Sequence, residues 1–190
     1  MRVIAGSARG RQLATFPGQG IRPTPDRVRE ALFSILYSRR GALTDCSVLD
    51  LYAGSGALGI EAISRGANHA WFVDNSRQAM SLVKENLERC KFTDRATTIM
   101  QDVRSALPVV AVRGPFDLIF ADPPYGHDHA PKILEECARL NLLGDNGIMV
   151  METAERDPVP ERVAYLQRFD QRHYGLTMLH FFQPATEEQA

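Results

Sequence analysis

From Val48 onward, short apolar runs alternate with longer stretches in which apolar residues recur every three or four positions. Residues 48–52, 70–73, 97–100, 116–120 and 148–151 have strand length and near-continuous apolar character, the pattern of strands buried on both faces. Between them lie helical patterns. Residues 57–65 end at Gly66, and residues 76–91 place Met80, Val83, Leu87 and Cys90 on one face. Residues 105–112 form a poor helix interrupted by proline, and residues 131–140 a better one. Repeated strand–helix alternation predicts a mostly parallel sheet with helices on both faces. The end of the chain differs. Residues 165–172 and 176–182 flank Tyr174-Gly175 and predict a closing antiparallel hairpin, for seven strands in all. Residues 184–190 are polar and are expected to fray.

The first 42 residues do not share this rhythm. Residues 1–20 alternate weakly around Gly6, Gly10, Gly18 and Gly20. They predict a short β-hairpin, residues 2–5 returning as 11–15 across a turn at Ala8-Arg9-Gly10. A helix follows, with Thr24 as candidate N-cap, Pro25 at the first helical position and Asp26 favouring the positive helix end. Val28, Ala31, Leu32, Ile35 and Leu36 form its buried stripe, Arg27 and Glu30 lie off it, and Gly41 ends it. Residues 1–42 therefore read as a hairpin–helix arm and residues 43–190 as an α/β domain.

Composition adds constraints. Apolar residues make up 44% and charged residues 24% of 190 residues, ordinary for one globular domain. No apolar run approaches the ~20 residues of a membrane span. The start, Met1 to Ile4 followed by Gly6 and Arg9, lacks the apolar core of a secretory leader, so a cytoplasmic monomer is expected. Cys46, Cys90 and Cys137 are widely spaced with no Cys-x-x-Cys pair, which predicts buried reduced thiols rather than disulfides or zinc. Net charge is −1, yet residues 1–40 carry eight arginines against Asp26 and Glu30, a local excess of +6. A basic arm on an acidic body suits local phosphate contacts, and arginine suits bidentate ones. The competing reading is a solvated arginine-rich surface.

Ligands of such sheets bind at the carboxyl ends of the strands. The first of these strands runs into Asp50-Leu51-Tyr52-Ala53-Gly54-Ser55-Gly56-Ala57-Leu58-Gly59, and Gly54, Gly56 and Gly59 have G-x-G-x-x-G spacing. Asp74 ends the next strand, placed for a ribose. Taken alone, this is a dinucleotide fingerprint, and a nicotinamide-dependent oxidoreductase stays open. Asp50 weighs toward S-adenosylmethionine, because a carboxylate there suits a cationic methionine amino group and is a poor neighbour for a pyrophosphate. Asp102, at the third strand end, can accept from an adenine amino group. The alternative is that Gly54 and Gly56 make a tight turn while Asp74 and Asp102 cap helices.

The fourth strand ends in Asp122-Pro123-Pro124-Tyr125. Two prolines remove two backbone donors and fix φ near −65°. A stiff platform results, on which the Asp122 carboxylate and the Pro123 carbonyl offer acceptors to both hydrogens of an amino group. Tyr125 supplies a ring for a planar base to stack on. An aryl amine is a weak nucleophile because its lone pair is conjugated. Accepting both its hydrogens draws it toward a tetrahedral shape and frees the lone pair. His127 and His129 bracket Asp128 without a placeable third metal ligand. Trp71 opens a strand beside Phe72 and is expected in the core.

Three stretches, "RVIAGSARGRQLATFPGQGIRPTPDRVREALFSIL", "DLYAGSGALGIEAISRGA" and "FDLIFADPPYG", resemble the bacterial 16S rRNA guanine-N2 methyltransferase family, RsmD-like. The resemblance spans nearly the whole chain. The DPPY tetrad is shared with adenine-N6 and glutamine methyltransferases, so the arm is the part that points to this family. It implies a Rossmann-like class I methyltransferase fold with an RNA-binding extension and S-adenosylmethionine as methyl donor. It implies ribosomal RNA as partner, either naked or within an assembling small subunit. It also implies a cofactor site at Asp50, Tyr52, Gly54, Ser55, Gly56, Asp74, Asn75, Asp102 and Val103, and a catalytic loop at Asp122, Pro123, Pro124 and Tyr125. Arg9, Arg11, Arg22 and Arg27 are the expected RNA contacts. Asp74 stands where many relatives have the longer Glu, which alters its reach. An adenine-N6 methyltransferase and a non-catalytic RNA-binding assembly factor stay open.

Overall fold

The computed structural model describes residues 1–16, 25–126 and 129–185. Helix α1 (Asp26–Arg40) leads into alternating β1 (Ser47–Leu51), α2 (Ala57–Ser64), β2 (His69–Asp74), α3 (Arg77–Cys90), β3 (Ala96–Met100), α4 (Val103–Ala111), β4 (Phe116–Ala121), α5 (His129–Arg139) and β5 (Leu143–Ala154). Strands β6 (Arg162–Val163), β7 (Leu166–Tyr174) and β8 (Thr177–Pro184) close the chain. They form one sheet in the order β3-β2-β1-β4-β5-β8-β7-β6. The first five strands are parallel, β8 runs antiparallel to β5, and β7 pairs with β8 as a hairpin.

The sheet has eight strands, not seven. The extra one is β6, two residues paired with Leu166 and Gln167. It is too short to show any periodicity. Helix α4 is also better formed than its proline suggests. It starts two residues early because Asp102 accepts from Ser105 N at 3.2 Å, and it buries Val103, Ala106, Leu107 and Val110 while Pro108 faces water. Residues Pro184 and Ala185 are held, since β8 reaches Pro184 and Ala185 N donates to Tyr165 O at 2.7 Å.

Alternation along the strands separates two cores. Val48, Leu118, Phe120, Ile148 and Val150 pack with α1, α2 and α3. Leu49, Leu51, Ile119, Ala121, Met149 and Met151 pack with α4 and α5. Each large side chain buried this way contributes roughly 1.5–3 kcal/mol. Trp71 is half-buried and meets Phe116 edge-on at 5.3 Å. All three cysteines are free and buried. No described helix is long and apolar enough to cross a membrane.

Val3, Ala8, Leu13, Val28, Leu32, Phe33 and Leu36 of the arm join the first core. Thr24 lies outside the described residues; α1 begins at Asp26, with Pro25 preceding it. Val28, Leu32 and Leu36 are buried as the stripe predicts, and Phe33 and Arg29 are buried with them. Arg29 donates to Arg2 O at 2.6 Å and to Asp26 at 2.7 Å. The hairpin has a single bridge, Arg2 with Gln12, flanked by Val3 N to Arg11 O at 3.0 Å. Its shape comes mainly from the body. Glu61, fully buried on α2, accepts from Ile4 N at 2.7 Å and Ala5 N at 3.0 Å while Arg65 donates to it at 2.7 Å. The Ser64 hydroxyl accepts from Ala8 N at 3.0 Å and donates to Ala5 O at 2.6 Å. Gly6 is required here, because a Cβ on it would stand 1.8 Å from Ser64 O.

Candidate active site

The strand order reverses between β1 and β4, and their carboxyl ends open the cleft expected of this topology. Asp50 lies one residue before the end of β1, on the face of the sheet covered by α2. It is 3% exposed and accepts from Gly59 N at 2.9 Å. Burial pushes its carboxyl up to about 7; the Gly59 N–H pulls it back, and Asp74 adds to the rise. Gly59 is dictated by this packing, since a Cβ there would lie 2.4 Å from the Phe72 ring and 3.1 Å from the Asp50 carboxylate.

Between Asp50 and α2 the chain turns sharply. Tyr52, Gly54 and Gly56 have φ of 59°, 56° and 77°. For Tyr52 this left-handed conformation is strained, as is common where a strand end serves a site. Gly54 N donates to Asp74 at 3.0 Å, and Ser76 N donates to the other Asp74 oxygen at 2.8 Å. Asp74 thus ties the glycine loop to the start of α3 and keeps lone pairs for a further donor. Fully buried Asn86 holds the loop from below, donating to Ser55 O at 2.9 Å and to Ala14 O at 3.0 Å. One amide therefore joins the arm to the loop. Asp102 is exposed and caps α4; Val103, next to it, is buried. Tyr52, Asn75, Asp102 and Pro124 line a cleft of about 670 Å³, together with Arg104 and Lys132. Burial and the nearby Asp102 raise the Tyr52 hydroxyl.

The Asp122–Tyr125 loop leaves β4 beside this cleft. Asp122 N donates to Leu51 O at 3.4 Å, so the loop starts level with Tyr52. Pro123 is buried, while Asp122, Pro124 and Tyr125 face solvent, Tyr125 at 51% exposure. The carboxyl of Asp122 is raised, first by burial, then by Glu152 and Asp50. Water reaches its open side, so the two neighbouring charges are the more durable part of that rise. Beyond the tetrad, Gly126 N donates to both oxygens of Asp157 at 3.1 Å, and Ala154 N donates to the same carboxylate at 3.3 Å. Asp157 therefore clamps the far end of the loop to the end of β5.

Glu152 escaped the sequence reading. It follows the apolar run of β5, is 8% exposed, and lies 3.5 Å from the Tyr125 hydroxyl. Only the register reveals it: Ala121 pairs with Met151, so Asp122, the first residue past β4, comes next to Glu152 on β5. Asp50, Asp122 and Glu152 share the face of Val48, Phe120 and Val150. Three carboxylates therefore gather at the ends of three adjacent strands.

The arm's arginines are spread over its surface. Arg9, Arg11 and Arg27 are exposed or partly exposed, and Arg11 donates to Arg89 O at 2.7 Å on α3. Arg22, like His127 and Asp128, lies outside the described residues. His129 stands at the start of α5, in the cleft wall.

A family model described as "Conserved hypothetical protein 95" matches residues 1–183. The chain belongs to that family. Relatives in it carry more specific names. Ribosomal RNA small subunit methyltransferase D of Escherichia coli K12 is 39% identical over 153 residues, covering 80% of this chain and 71% of that protein. The Haemophilus influenzae Rd protein of the same name is 34% identical over 160 residues, covering 84% and 81%. Among solved structures, a putative methyltransferase, yhhF, from Escherichia coli superimposes with a TM-score of 0.84 at 30% identity, over 98% of this chain and 99% of that one. The resemblance to the RsmD-like family drawn from the sequence is borne out, and so is the Rossmann-like class I methyltransferase fold.

Proposed function

We propose that this protein transfers a methyl group from S-adenosylmethionine to the N2 amino group of a guanine in small-subunit (16S) ribosomal RNA. The observation that carries the reading is the Asp122-Pro123-Pro124-Tyr125 loop standing beside buried Asp50 and the cleft of Tyr52, Asn75 and Asp102, at the ends of β4 and β1. The relatives' names support ribosomal RNA as substrate.

The pocket residues fit a cationic cofactor. Asp50 is buried with its carboxyl raised and faces two more carboxylates, which is costly without a positive charge nearby. S-adenosylmethionine supplies that charge, together with an electrophilic methyl on its sulfonium. A nicotinamide dinucleotide would instead bring a pyrophosphate toward the same acidic face. Asp50 is the acceptor for the methionine ammonium, Asp74 for the ribose hydroxyls and Asp102 for the adenine amino group. Tyr52, Gly54, Ser55, Gly56, Asn75 and Val103 form the walls.

Asp122 and the Pro123 carbonyl accept the two amino hydrogens and hold the lone pair toward the methyl. Tyr125 stacks on the base, and its exposed ring is ready for that contact. Orientation of this kind can account for several kcal/mol of barrier, up to roughly 7–11. The arm, residues 1–42, serves as the RNA-binding extension. Arg9, Arg11, Arg22 and Arg27 contact phosphates, positioning the substrate without reading its bases.

Methyl transfer from labelled S-adenosylmethionine to 16S RNA, with the product nucleoside identified by mass spectrometry, tests the reading. N2-methylguanosine is expected. N6-methyladenosine would move the activity to the adenine class, and no transfer to any RNA would favour a non-catalytic assembly factor. Stabilisation by NAD but not by S-adenosylmethionine would overturn the cofactor; the expected shift corresponds to ~2.7 kcal/mol at about 100 times the dissociation constant.

A further inference from the structure

The Asp122–Tyr125 loop recognises an amino group on a planar ring, a feature shared by guanine, adenine and cytosine. Nothing in it distinguishes them. Glu152 does. It stands beside Asp122 on the next strand, one position past the last Ala121–Met151 pair, where neighbouring strands are ~4.8 Å apart. It points to the same sheet face as Asp122 and Asp50. It is 8% exposed, and the Tyr125 hydroxyl lies 3.5 Å from its Oε1. A carboxylate offers about four acceptor positions on two oxygens. The Tyr125 hydroxyl meets Glu152 on the side where the ring would hold a base.

We propose that Glu152 selects guanine by accepting the base's N1–H while Asp122 accepts from the N2 amino group. The inference rests on the guanine reading above. Guanine presents N1–H and the 2-amino group side by side, two adjacent donors for two adjacent carboxylates. Adenine presents its 6-amino group beside a bare N1 lone pair. With that amino group on Asp122, the lone pair would face the Glu152 carboxylate, acceptor against acceptor. Glu152 thereby attracts one purine and repels the other, and a buried acceptor left facing an acceptor discriminates strongly. The Tyr125 hydroxyl joins the stacking ring to the reading carboxylate.

The test uses short RNAs that carry guanosine or 2-aminopurine riboside at the modified position. The analogue keeps the 2-amino group but lacks the N1 hydrogen. The wild-type protein is expected to prefer guanine by about 10- to 100-fold in kcat/KM. E152Q, whose amide can turn its NH₂ toward a bare N1, should lose that preference. Anisotropy with each RNA and S-adenosylhomocysteine should show the same loss in Kd without turnover. The melting temperature and the S-adenosylhomocysteine affinity of E152Q report whether it folds. Should it not fold, E152D, which keeps the charge and shortens the reach, takes its place and should weaken the preference. Equal use of both bases by the wild type, or an undiminished preference in the variant, overturns the role of Glu152. Failure of the guanine reading itself would show earlier and separately, as wild-type transfer to adenine but to no guanine, and would overturn this inference with it.

Discussion

Glu61 and the trio of Asp50, Asp122 and Glu152 are all carboxylates set against the same α-helical layer, and they are used in opposite ways. Glu61 is fully buried, and its oxygens are filled by two backbone N–H groups of the arm and the Arg65 guanidinium. The trio holds a like-charged cluster at the ends of adjacent strands: burial and then Asp74 raise Asp50, and burial and then Glu152 and Asp50 raise Asp122. A buried carboxylate saturated by fixed donors is structural. One set among other carboxylates at a strand end, as Asp50 and Asp122 are, is placed to take a donor or cation from outside.

Four changes should test this contrast, in order of decreasing effect. Asp122→Ala should lower single-turnover methyl transfer by about 10²–10⁴-fold, as loss of a positioned acceptor does. Its affinity for S-adenosylhomocysteine, read by calorimetry, should stay near wild type; a large loss would place Asp122 in the cofactor site instead. Glu61→Ala should act on the fold. Removing it orphans two N–H groups and Arg65, at about 3–5 kcal/mol in urea unfolding. A change under about 0.5 kcal/mol would mean the arm is held by its apolar contacts alone.

Tyr125→Ala should weaken RNA affinity by ~1–3 kcal/mol through lost base stacking, and Tyr125→Phe should restore most of it. The fourth change is in pH and concerns Asp50. Its folded-state carboxyl is raised to about 7, above its unfolded value, so its contribution to stability is full at low pH and is lost as pH rises through about 7. The melting temperature of the ligand-free protein should therefore fall over that window. Cofactor affinity should move the opposite way, rising by up to tenfold per pH unit below about 7, because a cation requires the ionised form. Asp50→Asn should flatten both trends, and a wild-type affinity independent of pH would remove Asp50 from cation binding.

What the sequence made legible was local. The glycine loop and the proline-stiffened tetrad stand out because contiguous residues determine their backbones, and the parallel strands because both their faces are buried. Glu152 carries no local signal; β-sheet register alone brings it to Asp122. Asn86, Glu61 and Ser64 likewise look like ordinary polar residues on helices, and their partners in the arm lie more than 50 positions away. Arg29 reads as a surface charge until the backbone carbonyl of Arg2 meets it. The arm is a hairpin whose strands pair at one bridge, but the body supplies most of its hydrogen bonds.

Asn86 carries a practical consequence for anyone who would shorten this protein. Residues 1–14 precede the first helix and carry exposed arginines, yet Asn86 grips Ala14 and Ser55 with the same amide nitrogen. Cutting the chain after Ala14 would strip Val3, Ala8 and Leu13 from the core and strand three buried polar side chains. It would also free Asn86, which holds the glycine loop at Ser55, from its anchor on Ala14. A truncation intended only to abolish RNA binding would then damage methyl-donor binding as well, and the two losses could not be told apart. Point substitutions at the exposed arginines avoid that confusion.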